Sequence, residues 1–420
     1  MEQGQTAAPT TVTTTEFASD AIGVLSRAVR RATRRAGSQE AGSTSGVVGT
    51  EHLLFTFLDD TDELESALVS GMRESTSVSA QISARDERHW ARDDSASAGA
   101  DGAGAEGADD PDDVIEMDAA WREALAEIRD SGRRPSEPEE AASAPQPPEP
   151  SGALRQTLLG ALRLAREEGS PDAHGRHLAR AMLATPGSRA LEALTLCRVD
   201  LDAAASALDA QAEAVRGGAT PWTAEKEAAP GSVQLLGRAG LLGERGVWWA
   251  RGMLSWMART AGDGAPVLLV VNHEARRQAV RYGRTAAEPV DLLLAVPALD
   301  RGLVVAGESL PEKLWAANSV ADMLRSEGVR QVDLVRAAAS AAGPSATTPG
   351  PGAVKLSAEA DKVVAAARLL AAERKAETVG TTHLLAALLA DPEGAPTRLL
   401  RECGADPAAL RTRLNASLGA

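Results

Sequence analysis

The chain has 420 residues, a formal charge of −15 and only 3% aromatic residues. That length is too great for one ordinary core and predicts two or three domains, while the acidic balance argues against a general nucleic-acid binder, which needs a basic footprint. Two cysteines, Cys197 and Cys403, are too few for a disulfide framework and fit a reducing compartment. The opening MEQGQTAAPTTVTTTEF lacks the basic and apolar regions of a secretory signal, and no uncharged apolar run is long enough to span a bilayer. The expected location is therefore the cytoplasm.

The stretch VGTEHLLFTFL at 48–58 returns as VGTTHLLAALL at 379–389, which directs attention to internal repeats. Residues 1–14 read as a disordered tail. Residues 15–90 then form the first copy of a unit made of an amphipathic helix, a turn, the His-Leu-Leu helix, a shorter helix and a last helix. Residues 91–152 read as an acidic Ala/Gly/Pro-rich linker, disordered except for one helix near 113–131. A second copy spans 153–215, with Gly175, Arg176 and His177 standing at the motif. Cys197 and Cys403 each fall twenty residues after their motif His, which supports the register. Residues 216–262 form a connector carrying Trp248, Trp249 and Trp256 beside several Arg.

The third copy, 263–342, is the most degenerate, with Val290 and Asp291 where the first copy has Glu51 and His52. A short linker, 343–354, precedes the fourth copy at 355–420. There Val364, Ala367, Leu370 and Ala371 recur at helical spacing, and Thr381 is placed to cap the helix that follows.

The combination of a long first helix, GTEHLL or GTTHLL, and a small-x-Asp turn before a last helix resembles the Clp repeat, the building block of the N-terminal domain of Clp-type unfoldases. The resemblance implies an all-α protein: two Clp-N-like domains, each a pseudo-duplicated bundle of short helices, joined by disordered and Trp-bearing connectors. It also implies a binding role, toward peptides, adaptors or antibiotic-like ligands. The partner expected on this basis is a protein or peptide, with Clp protease components among the candidates. A motor would need a phosphate-cradling loop ending in Gly-Lys, and no Gly-Lys dipeptide occurs in this chain. The protein therefore reads as non-enzymatic, without cofactor or metal. Its oligomeric state is left open.

In phosphoarginine-binding relatives the motif Glu and a hydroxyl near the start of the first helix recognise the ligand, and a carboxylate meets a guanidinium in two parallel hydrogen bonds. Carried over, this makes Thr50, Glu51 and His52 candidates in the first copy and Ser357, Thr382 and His383 in the fourth, with Glu167 marking the acidic run of the second. Only Glu51 keeps the family carboxylate, and the first copy has Ala18 where the hydroxyl belongs. Each His also has a plain packing role open to it, since no metal-ligand spacing accompanies it. Arg27, Arg30, Arg31, Arg34 and Arg35 make the first helix basic, read either as a solvated face or as a dock for the acidic linker. Residues 241–258 read as a connector packed on the second domain. The alternative there is a membrane-surface tether through the three Trp, and a further alternative for the whole chain is a scaffold for protein–protein contact.

Overall fold

The structure, a computed structural model, describes residues 14–38, 46–60, 62–68, 76–85, 90, 109–131, 147–218, 228–242, 266–342 and 354–419. The protein is all-α, with nineteen helices and six strands of two residues each among the described residues. Trp248, Trp249, Trp256, the tail 1–13 and the linker stretches 91–108, 132–146 and 343–353 lie outside the described residues, as does the side chain of Arg35.

Two apolar clusters organise the chain, and they share no residue. The first holds Leu25, Leu54, Phe57, Leu158, Leu178 and Leu194, and the second Val271, Leu293, Leu334, Leu384, Leu400 and Leu410. The first lobe contains α1 (Ser19–Ser38), α2 (Thr50–Asp60), α3 (Asp62–Leu68), α4 (Thr76–Ala84), α5 (Pro111–Ser131), α6 (Gly152–Glu168), α7 (Gly175–Ala184), α8 (Arg189–Leu196) and α9 (Leu201–Arg216). The second contains α10 (Gly231–Arg238), α11 (Pro266–Arg281), α12 (Pro289–Val305), α13 (Glu312–Trp315), α14 (Val320–Ser326), α15 (Gln331–Ala342), α16 (Ala358–Glu373), α17 (Thr381–Leu388), α18 (Ala395–Glu402) and α19 (Pro407–Gly419).

Local chemistry explains the helix ends. The Ser151 hydroxyl accepts the Leu154 N–H at 3.1 Å and starts α6, and Gly169 ends it in the left-handed region at φ +73°. Between those ends Leu154, Leu158, Leu162 and Ala165 form a buried stripe. The α12 helix is buried on most sides, with Leu292, Leu293, Leu294, Ala295 and Val296 all in the core, so it serves as the central helix of the second lobe.

The short strands tie the units together crosswise. In the first lobe β1 (Glu16–Phe17) pairs in parallel with β4 (Asp172–Ala173), and β2 (Val47–Val48) with β3 (Glu149–Pro150). In the second lobe β5 (Ala286–Ala287) pairs with β6 (Lys355–Leu356). Each pair joins the residues before a long helix to those before a His-Leu-Leu-type helix in the other half of the lobe.

The linker helix is where the fold departs from expectation. Far from standing free between two bodies, α5 contributes Met117, Ala120, Trp121 and Ala124 to the first lobe's core and packs on α1 and α11. Its Asp112, Glu116 and Glu123 pair with arginines of the second lobe.

Candidate functional site

Four helices, α2, α7, α12 and α17, begin in the same way. At each, the third helical residue turns back to accept the N–H of the residue that caps the helix. His52 Nδ1 accepts from Gly49 at 3.2 Å, His177 Nδ1 from His174 at 2.8 Å, His383 Nδ1 from Gly380 at 3.2 Å, and Asp291 Oδ2 from Glu288 at 2.8 Å. This is the reciprocal half of a capping box, with an imidazole in place of the usual Glu. Asp291 offers the same kind of acceptor at α12, where the other three helix starts have His. Thr381 is not the cap of α17: Gly380 holds that place, and Thr381 is the first helical residue, its N–H given to Asn318 Oδ1 at 3.0 Å. The reason is steric. A Cβ at Gly380 would collide with the Ala317 carbonyl, so only glycine fits where the chain crosses.

The residue before that acceptor differs at each start, and its surroundings differ with it. Glu51 is 3% exposed, and its Oε1 accepts from Arg189 Nη1 at 2.9 Å, while the Thr50 hydroxyl accepts the Ala190 N–H at 3.1 Å. Both partners open α8, so Glu51 and Thr50 cap and neutralise the N-terminus of a neighbouring helix. Glu51 Oε2 is buried without a hydrogen-bond partner, and it lies where a Gly49 side chain would stand.

At the second start Arg176 turns to Glu168 at 2.8 Å, and His177 Nε2–H donates to the other Glu168 oxygen at 3.0 Å. Burial raises the Glu168 carboxyl, but the His177 hydrogen bond and the Arg176 charge outweigh it and hold the pKa at about 2. Burial keeps His177 below its ordinary value. Glu167, the sequence candidate, is exposed on α6, and its neighbour Glu168 is the residue engaged. Periodicity along α6 distinguishes the two only once the buried side is known. At the fourth start the Thr382 hydroxyl donates to Ala317 O at 2.9 Å.

The third start opens onto a cavity of about 510 Å³, lined by Val290 at the position that Glu51 takes in α2. Tyr282, Val290 and Leu399 give it apolar surface, and Arg284, Arg398 and Glu402 give it charge. Arg284 is ion-paired with Asp291, and its guanidinium lies 5.2 Å from the Tyr282 ring centre. Burial pushes the Asp291 carboxyl up to about 6 against the pull of that pair. Arg398 is exposed and has no ion partner among the described residues.

The hydroxyl partners also sort differently from the sequence register. Crosswise strand pairing sets the Ser151 N–H on Val48 O at 2.9 Å, beside the start of Glu51's helix, and sends Ala18 to Ala173 O at 3.0 Å. Ser357 likewise donates its N–H to Ala287 O at 2.8 Å, beside the Val290 start, while its hydroxyl caps α16 at Ala360. Crosswise pairing thus sets each of these serines beside a helix start from the other half of its lobe.

These shared starts and crosswise strands are the geometry against which the comparisons with known proteins stand. Residues 355–420 match the Clp repeat (R) N-terminal domain family. The Clp repeat so matched contains Ser357, Thr382 and His383 together with one wall of the cavity, α18. No curated protein matches the chain.

The basic candidates of α1 are partly spent. Arg31 is bound to Asp59 of α2 at 2.5 Å and lies over the Phe55 ring at 4.5 Å. Arg27 and Arg30 are half-buried, and Arg34 is exposed. No helix among the described residues is long and apolar enough to cross a membrane.

Proposed function

We propose that the chain is a non-enzymatic binding protein of four degenerate Clp repeats arranged as two lobes, which docks a peptide or adaptor segment in the Val290 cavity and modulates a Clp protease. The observation that carries this reading is the contrast between the four helix starts. Arg189, Glu168 and Ala317 O of the chain itself occupy the starts of α2, α7 and α17, and the start of α12 faces a cavity of about 510 Å³. A volume of that order suits a few side chains of a bound segment. The matched repeat at 355–420 supports a protein-interaction role, and the common capping bond supports extending the repeat to the other three copies.

The non-catalytic part of the reading rests on the sequence and on the thiols. The chain has no Gly-Lys for a phosphate loop. The Cys403 thiol is pushed up to about 11 by burial and by the charges of Asp333 and Glu402, which leaves it a poor nucleophile.

The test is degradation of reporter substrates by the Clp machinery of the source cell, with and without the purified protein. Modulation is expected with the wild type and is expected to be lost in Leu399→Arg, which fills the cavity. The reading fails if no substrate responds and no Clp component crosslinks to a photoreactive residue at Thr285.

A further inference from the structure

The junction between the lobes is built from charge, although each lobe has a complete apolar core of its own. From the first lobe come Glu16 on β1, Glu116 and Glu123 on α5, and Asp172 on β4. From the second come Arg277 and Arg281 on α11 and Arg301 on α12. Arg277 binds Glu123 through Nε at 2.7 Å and Nη2 at 3.1 Å. Arg281 binds Glu123 at 3.0 Å and is paired with Glu116 as well. Arg301 reaches Asp172 at 2.5 Å and the Pro171 carbonyl at 2.7 Å. Gln331 donates to Glu16 at 2.8 Å, and Arg336 closes the rim on Asp112 at 2.7 Å. Arg277, Arg281, Arg301 and Arg336 of the second lobe thus all meet carboxylates of the first, and Arg122 of α5 reaches back across the junction to the Arg281 carbonyl at 2.8 Å. Glu274, a further buried acid, sits on α11 beside Arg277 and Gln278.

Ion clusters of this kind specify geometry more than they add net stability, because desolvating the charges offsets most of their attraction. Removing one member leaves the others buried and uncompensated, which is strongly unfavourable. Such a junction differs from a core in one respect: severing it exposes polar surface that water accepts, and neither apolar cluster is opened.

We propose that the α5–α11 charge cluster is a lock that docks two independently cored lobes, so that breaking it parts the lobes while both stay folded. The acidic face of α5 is then a receptor surface occupied in cis by the arginine row of α11. Arg277 and Arg281, one helical turn apart, both reach Glu123.

The test is small-angle scattering on the full chain, with far-ultraviolet circular dichroism in parallel. Two variants attack the lock from opposite sides: Arg277→Glu with Arg281→Glu, and Glu123→Arg. Expected is a rise in radius of gyration on the order of 5 Å or more over wild type, the increment for two bodies of this size moving apart, with helix content unchanged. Two outcomes overturn the proposal. One is an unchanged radius in both variants with helix retained. The other is loss of helix in both, which means the junction is part of a single folding unit.

Discussion

Arg277 of the second lobe holds Glu123 of the first in a two-bond clamp, 2.7 Å and 3.1 Å long. The pair joins the acidic linker helix α5 to a helix 154 residues further along the chain. Burial disfavours the Glu123 carboxylate, yet Arg277 and Arg281 hold its pKa below the ordinary value. A segment that composition marks as a polar connector is thus an internal element, held by the same acidity that suggests it is free.

The junction gives a pH dependence of stability with a definite sign. Burial, reinforced by the Glu16 charge, pushes Glu116 up to about 7, so the folded state keeps a proton that the unfolded chain releases near pH 4.5. That contribution falls as pH rises from about 4.5 to about 7 and is level above. Glu16 behaves oppositely: the charges of Arg301, Arg281 and Arg277 overcome its burial and hold it at about 2, so its contribution is lost as pH falls below about 4.5. Asp113, Arg166 and Asp112, which line the small cavity beside Glu116, complete the charged surroundings. Calorimetric unfolding across pH 4 to 8 is expected to show greatest stability near pH 5. Glu116→Gln should remove the junction's share of the decline toward pH 7, a change of up to roughly 3 kcal/mol, and leave the share of Asp291, whose carboxyl burial pushes up to about 6. A profile that is flat from pH 5 to 7 contradicts this account of the junction.

Glu51 and Arg189 form a buried pair, so losing one partner should cost more than losing both. Arg189→Ala is expected to lower stability by about 3 kcal/mol, and Arg189→Met combined with Glu51→Leu to recover most of that. Chemical denaturation of the two variants decides it; equal losses would show that the pair is not coupled. Because the Glu51 carboxylate already binds a guanidinium of its own chain, free phosphoarginine should give no titration with the wild-type protein.

Capping by the motif His has a direct test in the second lobe. The His383→Ala change removes the acceptor of the Gly380 N–H and is expected to cost about 1 kcal/mol beyond its packing loss. His383→Asn retains a short neutral acceptor, as Asp291 does at α12, and should restore part of it. Thermal melts of both variants measure the difference. If Asn is no better than Ala, the imidazole acts by volume alone.

Gly380 faces the Ala317 carbonyl with no room for a side chain. Gly380→Ala should therefore destabilise the protein by about 2 kcal/mol or more, through a forced shift of the 316–318 turn. Gly46, where an added Cβ meets nothing within 4 Å, is the control: Gly46→Ala is expected to change the melting temperature little.

The helical class and much of the internal order of this chain were legible from apolar spacing. Val364, Ala367 and Ala371 recur at helical intervals and all three are buried, because a helix projects every third or fourth residue onto one side. The recurrence of His-Leu-Leu likewise pointed to equivalent helix starts, and the starts share one capping bond. Periodicity cannot say which copies face one another. Crosswise strand pairing put Ser151 beside Glu51's helix and Ser357 beside Val290's, a consequence of topology that no single copy contains.

Sequence alone made Glu51 an available carboxylate, Glu167 a candidate and α5 a loose helix in a polar linker. Tertiary structure gave Glu51 to Arg189, exchanged Glu167 for Glu168 and set Glu116 and Glu123 of α5 against Arg277 and Arg281 from the far half of the chain. The physical reason is the same throughout. Composition reports how a charge behaves in water, but its partner in the fold is set by backbone packing over more than a hundred residues, and burial makes that partner obligatory.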